Sequence, residues 1–381
     1  MSRPKIFILK PSSLGDVIQA LPVLRLLRLH LPQSEIFWWI DSGLASLLET
    51  DPDLTGVVRF DRQRWRSPWH WGEIWASVQA LRRQRFDWVI DLQSLLRSGA
   101  MAWLTNGSLT VGLDDPREGA RGFYDIVVPR PNYHTHAVDW YLHSLPPLGV
   151  PVHWSFTWLP ANSEAAAQVQ ARRTEVAPAG ARWIALQPGA RWENKRWPLS
   201  HFAQTVRQLA AEAEDVRFLI LGGEGDRTLG QALAAAAPKR CLDLTGQTSL
   251  PQMIEWLRIA ELLITNDTGP MHAAAALGKP VVALFGPTEP RRTGPYGQVA
   301  DVLRQPLPCV PCMRDSCHWP QPMECLQAIT PDIVLGRVRM WLTSGQQTKP
   351  TLKFGQLPLP STGKGPGPAT PVARRAKAGE G

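Results

Sequence analysis

The sequence has no stretch approaching the roughly 20 consecutive apolar residues that a membrane-spanning helix needs. It shows no secretory leader: Lys5-Ile6-Phe7-Ile8-Leu9-Lys10 is a short apolar run, charged at both ends, without a cleavage-type sequel. These two absences give the expectation of a cytoplasmic protein whose membrane contact is peripheral. It has no internal repeat at a solenoid period, which excludes repeat arrays. It has no G-x-G-x-x-G after a strand, which disfavours a nicotinamide enzyme. Acidic residues are in deficit, 33 against 41 Lys and Arg, for a formal charge of +8. That balance favours anionic partners: nucleotide phosphates, lipid head groups or nucleic acid. The 17 Trp are scattered rather than set as a stacking platform, and no nucleic-acid motif accompanies them, so nucleic acid is set aside. Cysteines number five, four of them bunched late in the chain, which is not a secreted disulfide framework.

What is present is strand alternating with helix, the pattern of parallel sheets covered by helices, hence an α/β fold. Lys5 to Lys10 reads as a buried strand. Leu14, Ile18, Leu21, Leu24 and Leu27 then recur at helical spacing, with Pro22 expected to bend that helix. Strands are expected at Glu35–Ile40 and Asp87–Asp91, and a helix at Tyr133–Leu145. A second alternating set has strands at Trp183–Gln187, Val216–Gly222, Cys241–Leu244, Glu261–Asn266 and Pro280–Phe285. The division expected is an N-terminal domain over 1–160, a linker over 161–180, a second domain over 181–345 and a disordered basic tail over 346–381. In the tail, Arg374, Arg375 and Lys377 cluster among Pro and Gly.

Four motifs sit where strands end and helices begin, the place where open parallel sheets bind ligands. In Lys10-Pro11-Ser12-Ser13-Leu14-Gly15-Asp16, Gly15 lets backbone approach a ligand and Asp16 offers a carboxylate. A hydroxyl attacking an anomeric carbon needs such a base. The alternative is a helix-capping Asp beside turn serines. Gln187-Pro188-Gly189-Ala190-Arg191 leads to Asn194-Lys195-Arg196-Trp197-Pro198, a basic loop able to meet a diphosphate, or simply a solvated one. Leu221-Gly222-Gly223-Glu224-Gly225-Asp226 offers an acid to a ribose, or is a plain turn. Thr265-Asn266-Asp267-Thr268-Gly269-Pro270-Met271-His272 ends a strand and opens an alanine-rich helix. Free N–H groups and the helix dipole there favour an anion. His272 on its own reads as a satisfied, half-buried histidine.

As a set these motifs, with Leu284-Phe285-Gly286-Pro287-Thr288-Glu289-Pro290, resemble glycosyltransferase family 9, the lipopolysaccharide heptosyltransferases. The resemblance runs from about Ile6 to Trp341. Arg62-Gln63-Arg64-Trp65-Arg66, Asp91 to Ser98 and Arg117-Glu118-Gly119-Ala120 look like heptosyltransferase I in particular. The resemblance implies a GT-B architecture, two Rossmann-like domains facing a cleft, with a C-terminal helix at Pro331–Trp341 crossing back to the first domain. It implies an ADP-heptose donor, a Kdo–lipid A type acceptor at the inner membrane's cytoplasmic face, inversion, and no metal or cofactor for the chemistry. Carried over by residue, Asp16 is the general base, and Lys195 contacts the diphosphate with Arg196 beside it. Ser12, Ser13, Gly15, Glu224 (or Asp226 in its place), Asp267, Thr268, Gly269 and His272 belong to the donor side. Arg62, Arg64, Arg66, Arg97 and Arg117 form a basic acceptor surface. The other readings weighed are a family member using another nucleotide sugar or acceptor, and a nucleotide-sugar binder without turnover. Cys309, Cys312, Cys317 and Cys325 are spaced so that four thiolates can hold a structural zinc or iron, or pack as reduced thiols.

Overall fold

The computed structural model describes residues 3–343, so the tail expected from 346 onward lies outside the described residues. The first half runs β1 (Lys5–Leu9), α1 (Leu14–His30), β2 (Glu35–Asp41), β3 (Gly56–Phe60), α2 (Trp71–Gln84), β4 (Trp88–Asp91), α3 (Leu96–Leu104), β5 (Leu109–Leu113), β6 (Ile126–Val128) and α4 (Ala137–Leu142). The helix α5 (Ser163–Val176) follows. The second half runs β7 (Arg182–Gln187), α6 (Leu199–Glu212), β8 (Val216–Ile220), α7 (Arg227–Ala234), β9 (Cys241–Asp243), α8 (Leu250–Ile259), β10 (Leu262–Asn266), α9 (Gly269–Ala276), β11 (Val281–Phe285), α10 (Pro290–Thr293), β12 (Leu303–Arg304), α11 (Glu324–Gln327) and α12 (Pro331–Thr343).

Each half is one six-stranded sheet, ordered β3-β2-β1-β4-β5-β6 and β12-β11-β10-β7-β8-β9, and all pairings are parallel. Counted from its own first strand, each sheet has the same doubly wound order. Its direction of winding reverses between β1 and β4 in the first and between β7 and β10 in the second. A crevice opens at the carboxyl ends of such a strand pair, because the two following connections leave to opposite sides. β10 and β11 are buried at every position, which is why β11 reads as an unbroken apolar run and β10 as one up to Thr265, rather than alternating. Helix α1 is buried nearly all round because it packs against its own sheet on one side and against α4 and α9 on the others.

The structure changes several sequence readings. The helix expected from Tyr133 begins only at Ala137, where the His136 side chain accepts from the Val138 N–H and caps it. Helix α12 does not cross back to the first half: it packs on α6 and β11, and Arg339 pairs with Glu212 there. Its buried Val334, Leu335 and Val338 complete the second core. The strands β3, β5, β6 and β12 were not anticipated. The stretch assigned to a linker is mostly α5, which packs on α8. No helix among the described residues is long and apolar enough to cross a membrane.

Candidate active site

The strand-to-helix connections at both switch points face one cleft of roughly 740 Å³. From the first half it is lined by Ser13, Gly15, Asp16 and Gln19, and from the second by Lys195, Arg196, Asp226, Asp267, Thr268, Gly269 and His272. Gln19 and His272, 253 positions apart, therefore meet. The contact is close because two glycines permit it. A Cβ on Gly15 would lie 2.3 Å from His272 Cδ2, and one on Gly269 would lie 2.7 Å from Leu14 Cδ2. Gly15→Ala is accordingly expected to overpack this junction, at about 1–3 kcal/mol of stability, and to slow turnover by displacing the neighbouring Asp16. Thermal melts and steady-state rates check it; a variant as stable and as fast as the parent would show that the halves stand further apart in solution.

Asp16 occupies the third position of α1. Its Oδ2 accepts from the Ser13 N–H at 3.0 Å and from Ser13 Oγ at 2.6 Å, which is the geometry of the capping reading. Its Oδ1 lies 3.5 Å from the Tyr141 hydroxyl, and the residue stays partly open to the cleft. Burial on its protein side would raise the carboxyl, but the Lys10 ammonium and the two Ser13 bonds outweigh that and hold it below the ordinary carboxylate value. Lys10 is the residue that sequence reading left without a role. It is 3% exposed. Its Nζ donates to the Leu92 carbonyl at 2.9 Å and sits 4.6 Å over the Tyr141 ring. Burial works to lower it, yet Tyr141 and Asp16 leave it raised overall. Tyr141 arrives from α4, far along the chain, and no local pattern could have announced it.

Across the cleft, Lys195 Nζ meets Asp267 Oδ2 at 2.6 Å and lies 4.5 Å over the Trp192 ring. Thr288 Oγ1 donates to the same carboxylate oxygen at 2.7 Å. The basic loop is shaped by Asn266, whose Nδ2 donates to the Pro188 carbonyl at 2.8 Å and whose Oδ1 accepts from the Trp197 N–H at 2.9 Å. Arg196 turns its Nε back to the Ala190 carbonyl at 2.9 Å while still lining the cleft. Thr268 is the N-cap of α9 and makes no side-chain cap bond; Pro270 has no N–H and the Met271 N–H goes to the Thr268 carbonyl, so the Gly269 N–H is what this helix start offers the cleft. His272 is held by Gln19, Nε2 to Nδ1 at 3.1 Å; burial lowers its pKa, against the pull of Asp267 and Asp16. It is a neutral, packed histidine bridging the halves.

The glycine-rich turn resolves in favour of Asp226. Glu224 is exposed and paired with Arg227 at 2.8 Å, whereas Asp226 lines the cleft and packs so tightly on Gly189 that a Cβ there would lie 2.2 Å from its Oδ1. Thr248, Ser249, Leu250 and Met253 also line this end, from the start of α8, and were not anticipated.

In the first half, Arg62 hydrogen-bonds Ser12 Oγ, and both line a second cavity of roughly 380 Å³ with Asp41 and Asp61. Arg117 is locked to Asp115, 2.7 Å from Nη2 to Oδ2, with Asp16 near enough to raise the guanidinium further. Arg64 is exposed and paired with Glu73 at 2.7 Å, and Arg97 is exposed at the start of α3. The side chain of Arg66 lies outside those described. Of the four arginines whose side chains are described, Arg62 bonds Ser12 and Arg117 lies near Asp16, while Arg64 and Arg97 are exposed.

The four late cysteines are unbridged and line a separate cavity of roughly 320 Å³ with His318 and Trp319. Burial pushes the Cys325 thiol up to about 11, and the neighbouring cysteines push it the same way. Among the described residues no group of three or more His, Cys, Asp or Glu side chains is arranged to hold a metal ion. Among the described residues the zinc or iron site expected at Cys309, Cys312, Cys317 and Cys325 is therefore not assembled, although the four thiols share that cavity.

The profile of glycosyltransferase family 9 (heptosyltransferase) matches residues 74–321. The chain is 31% identical over 330 residues to lipopolysaccharide heptosyltransferase 1 of Pseudomonas aeruginosa, covering 84% of this chain and 89% of that one. Its fold is similar to the Escherichia coli ADP-heptose lipopolysaccharide heptosyltransferase II, with a TM-score of 0.71 at 24% identity over 89% of this chain and 99% of that one. It is also similar to the Escherichia coli heptosyltransferase WaaC with ADP, with a TM-score of 0.68 at 24% identity over 88% of this chain and 99% of that one.

Proposed function

Because the chain belongs to glycosyltransferase family 9, we propose that it transfers a heptose from ADP-heptose to the Kdo–lipid A inner core of lipopolysaccharide, with inversion, working peripherally at the cytoplasmic face of the inner membrane. The observation that carries this reading is one cleft with Asp16 on the first sheet's side and Lys195 with Asp267 on the second's. An inverting transfer needs a base on one face of the donor sugar and a cation at the leaving group on the other.

In this mechanism Asp16 accepts the proton of the acceptor hydroxyl while that oxygen attacks the anomeric carbon. The new C–O bond forms as the bond to the β-phosphate oxygen breaks, and ADP leaves with that electron pair. Lys195 and the Gly269 N–H at the start of α9 stabilise the charge that builds on the diphosphate. Asp226 takes the ribose hydroxyls, and Leu250 with Met253 offer an apolar wall for the base. Arg62 and Arg117 meet the anionic groups of the acceptor. Asp267 holds the Lys195 ammonium in place until the diphosphate shares it.

Incubating the purified chain with ADP-heptose and Kdo–lipid A, then reading the product by mass spectrometry, tests the reading. A gain of one heptose is expected. Transfer only from a different nucleotide sugar would move the chain to another branch of the family, and binding without turnover would make it a binder. Lys195→Ala is expected to weaken ADP binding by about tenfold or more, the worth of a charge-assisted bond, and to leave adenosine binding nearly unchanged. Calorimetry with both ligands checks this; an equal loss for the two would assign Lys195 to loop structure.

A further inference from the structure

The chain buries its tryptophans well: Trp38, Trp39, Trp183, Trp197 and Trp256 are among its largest fully buried side chains. Four others are exposed, Trp69 at 93%, Trp71 at 65%, Trp103 at 56% and Trp75 at 55%, and all four fall within residues 69–103. Leu96 joins them at 53%. They do not scatter over the surface. Helices α2 and α3 pack on each other and cover the same side of the first sheet, Val78 and Leu81 of one sharing a core with Met101 and Ala102 of the other. The outward sides of the two helices therefore make one surface. Trp71 and Trp75 stand one turn apart along α2, and Leu96 and Trp103 two turns apart along α3.

The charge on this segment is predominantly positive. Between residues 62 and 104 there are seven arginines and three carboxylates, and one of the three, Asp91, is buried. Arg82, Arg83 and Arg85 at the end of α2 and Arg97 on α3 are exposed. A tryptophan has an apolar body and one polar N–H, and it is most at home where hydrocarbon meets water. Exposed tryptophans interleaved with arginines fit an anionic lipid interface better than either water or an apolar protein groove. The surface is also continuous with the acceptor side: the loop carrying Arg62 beside Ser12 runs through two short turns directly into Trp69 and Trp71.

We propose that the outer face of α2 and α3, with Trp69, Trp71, Trp75 and Trp103 as anchors and Arg82 and Arg83 as charge contacts, docks on an anionic bilayer surface. The proposal rests on the reading that the acceptor is lipid-linked. Docking there turns the acceptor cavity toward the lipid, so that a saccharide close to the head groups reaches Asp16 without being drawn out of the membrane. These side chains act by location and touch no reacting atom.

Flotation of the full chain with vesicles of phosphatidylcholine alone, or with phosphatidylglycerol added, tests it. The parent is expected to float with the anionic vesicles and weakly with the neutral ones. Replacing all four tryptophans by serine should cut binding to the anionic vesicles at least about tenfold, a factor worth about 1.4 kcal/mol. Arg82→Glu with Arg83→Glu should abolish the preference for the anionic vesicles. Transfer to vesicle-embedded acceptor should fall through KM, while transfer to a deacylated, soluble acceptor saccharide stays at the parent rate. Should the quadruple variant fold poorly, Trp69→Ser and Trp75→Ser singly should each show a smaller loss of binding. Vesicle binding unchanged in these variants, or absent in the parent, overturns the proposal. So does a parent dimer that the tryptophan replacements split into monomers, since the face would then be an interface between copies. A parent that floats yet transfers no sugar to either acceptor would overturn the proposed activity and leave the docking surface standing.

Discussion

Asp16→Asn is expected to lower kcat by about 10²–10⁴, the usual worth of a general base, with little change in affinity for ADP-heptose. Asparagine keeps an oxygen for the Ser13 N–H and Oγ, so the first turn of α1 stays capped. What it loses is the ability to take a proton. The position of Asp16 says how the loss is felt. Its carboxyl is held below the ordinary value, so it is fully ionised through the neutral range but weakly basic. A weak base cannot deprotonate a sugar hydroxyl in advance. It can take the proton only as the new C–O bond forms and the hydroxyl oxygen turns acidic. The defect should therefore appear in kcat, be constant across neutral pH, and leave donor binding on the opposite wall alone. Single-turnover rates with donor affinities measured alongside check this. Parent-like turnover in the variant would remove Asp16 from the chemistry and leave it as a helix cap.

How much of this was legible in the sequence follows from which interactions are local. The doubly wound halves were legible because buried parallel strands are written as apolar runs, as in β11 and, up to Thr265, in β10. The cleft-facing turns were legible because each needs particular residues in a row: Gly15 before Asp16, Asp267 before the small residues that open α9. Pairings between distant segments were not. Nothing around Lys10 says that Tyr141 and Leu92 will enclose it, and nothing around Gly269 says that Leu14 will press on it. Which of Glu224 and Asp226 lines the cleft was hidden at the same level. Both are acids in one turn, and the close approach of Gly189 to Asp226 decides which enters the cleft. Helix α12 was misassigned because its apolar face declares that it packs but not on which half. The cysteine spacing suited a metal, and the four thiols do line one cavity, but among the described residues they are not arranged to hold an ion.

Lys10→Met is expected to slow transfer at neutral pH, to lift the acid limb of the kcat/KM profile, and to destabilise the fold by about 1–3 kcal/mol, the cost of leaving buried polar groups without their donor. Methionine fills the space against the Tyr141 ring, but the Leu92 carbonyl and the protein side of Asp16 lose their cation. The signs follow from the two shifts. Asp16 is depressed in the folded chain, so its share of stability is present above its ordinary value of 3.8 and is lost as the pH falls through its folded value. Lys10 is raised, so its share is present below its ordinary value of 10.5 and is lost as the pH rises through its folded value. At neutral pH both shares are in place and the variant lacks both. The stability gap between parent and variant should be widest there and shrink in acid, where the parent's carboxyl is protonated too. Urea titrations at neutral and acidic pH read that gap. In the variant, burial is no longer opposed by an ammonium, so the Asp16 carboxyl moves upward and part of the enzyme is protonated where the parent is not. Raising the pH should then restore much of the lost rate. Loss of packing alone would not respond in this way. A variant whose rate stays low and flat with pH would make Lys10 a packing residue and return the control of Asp16 to Ser13.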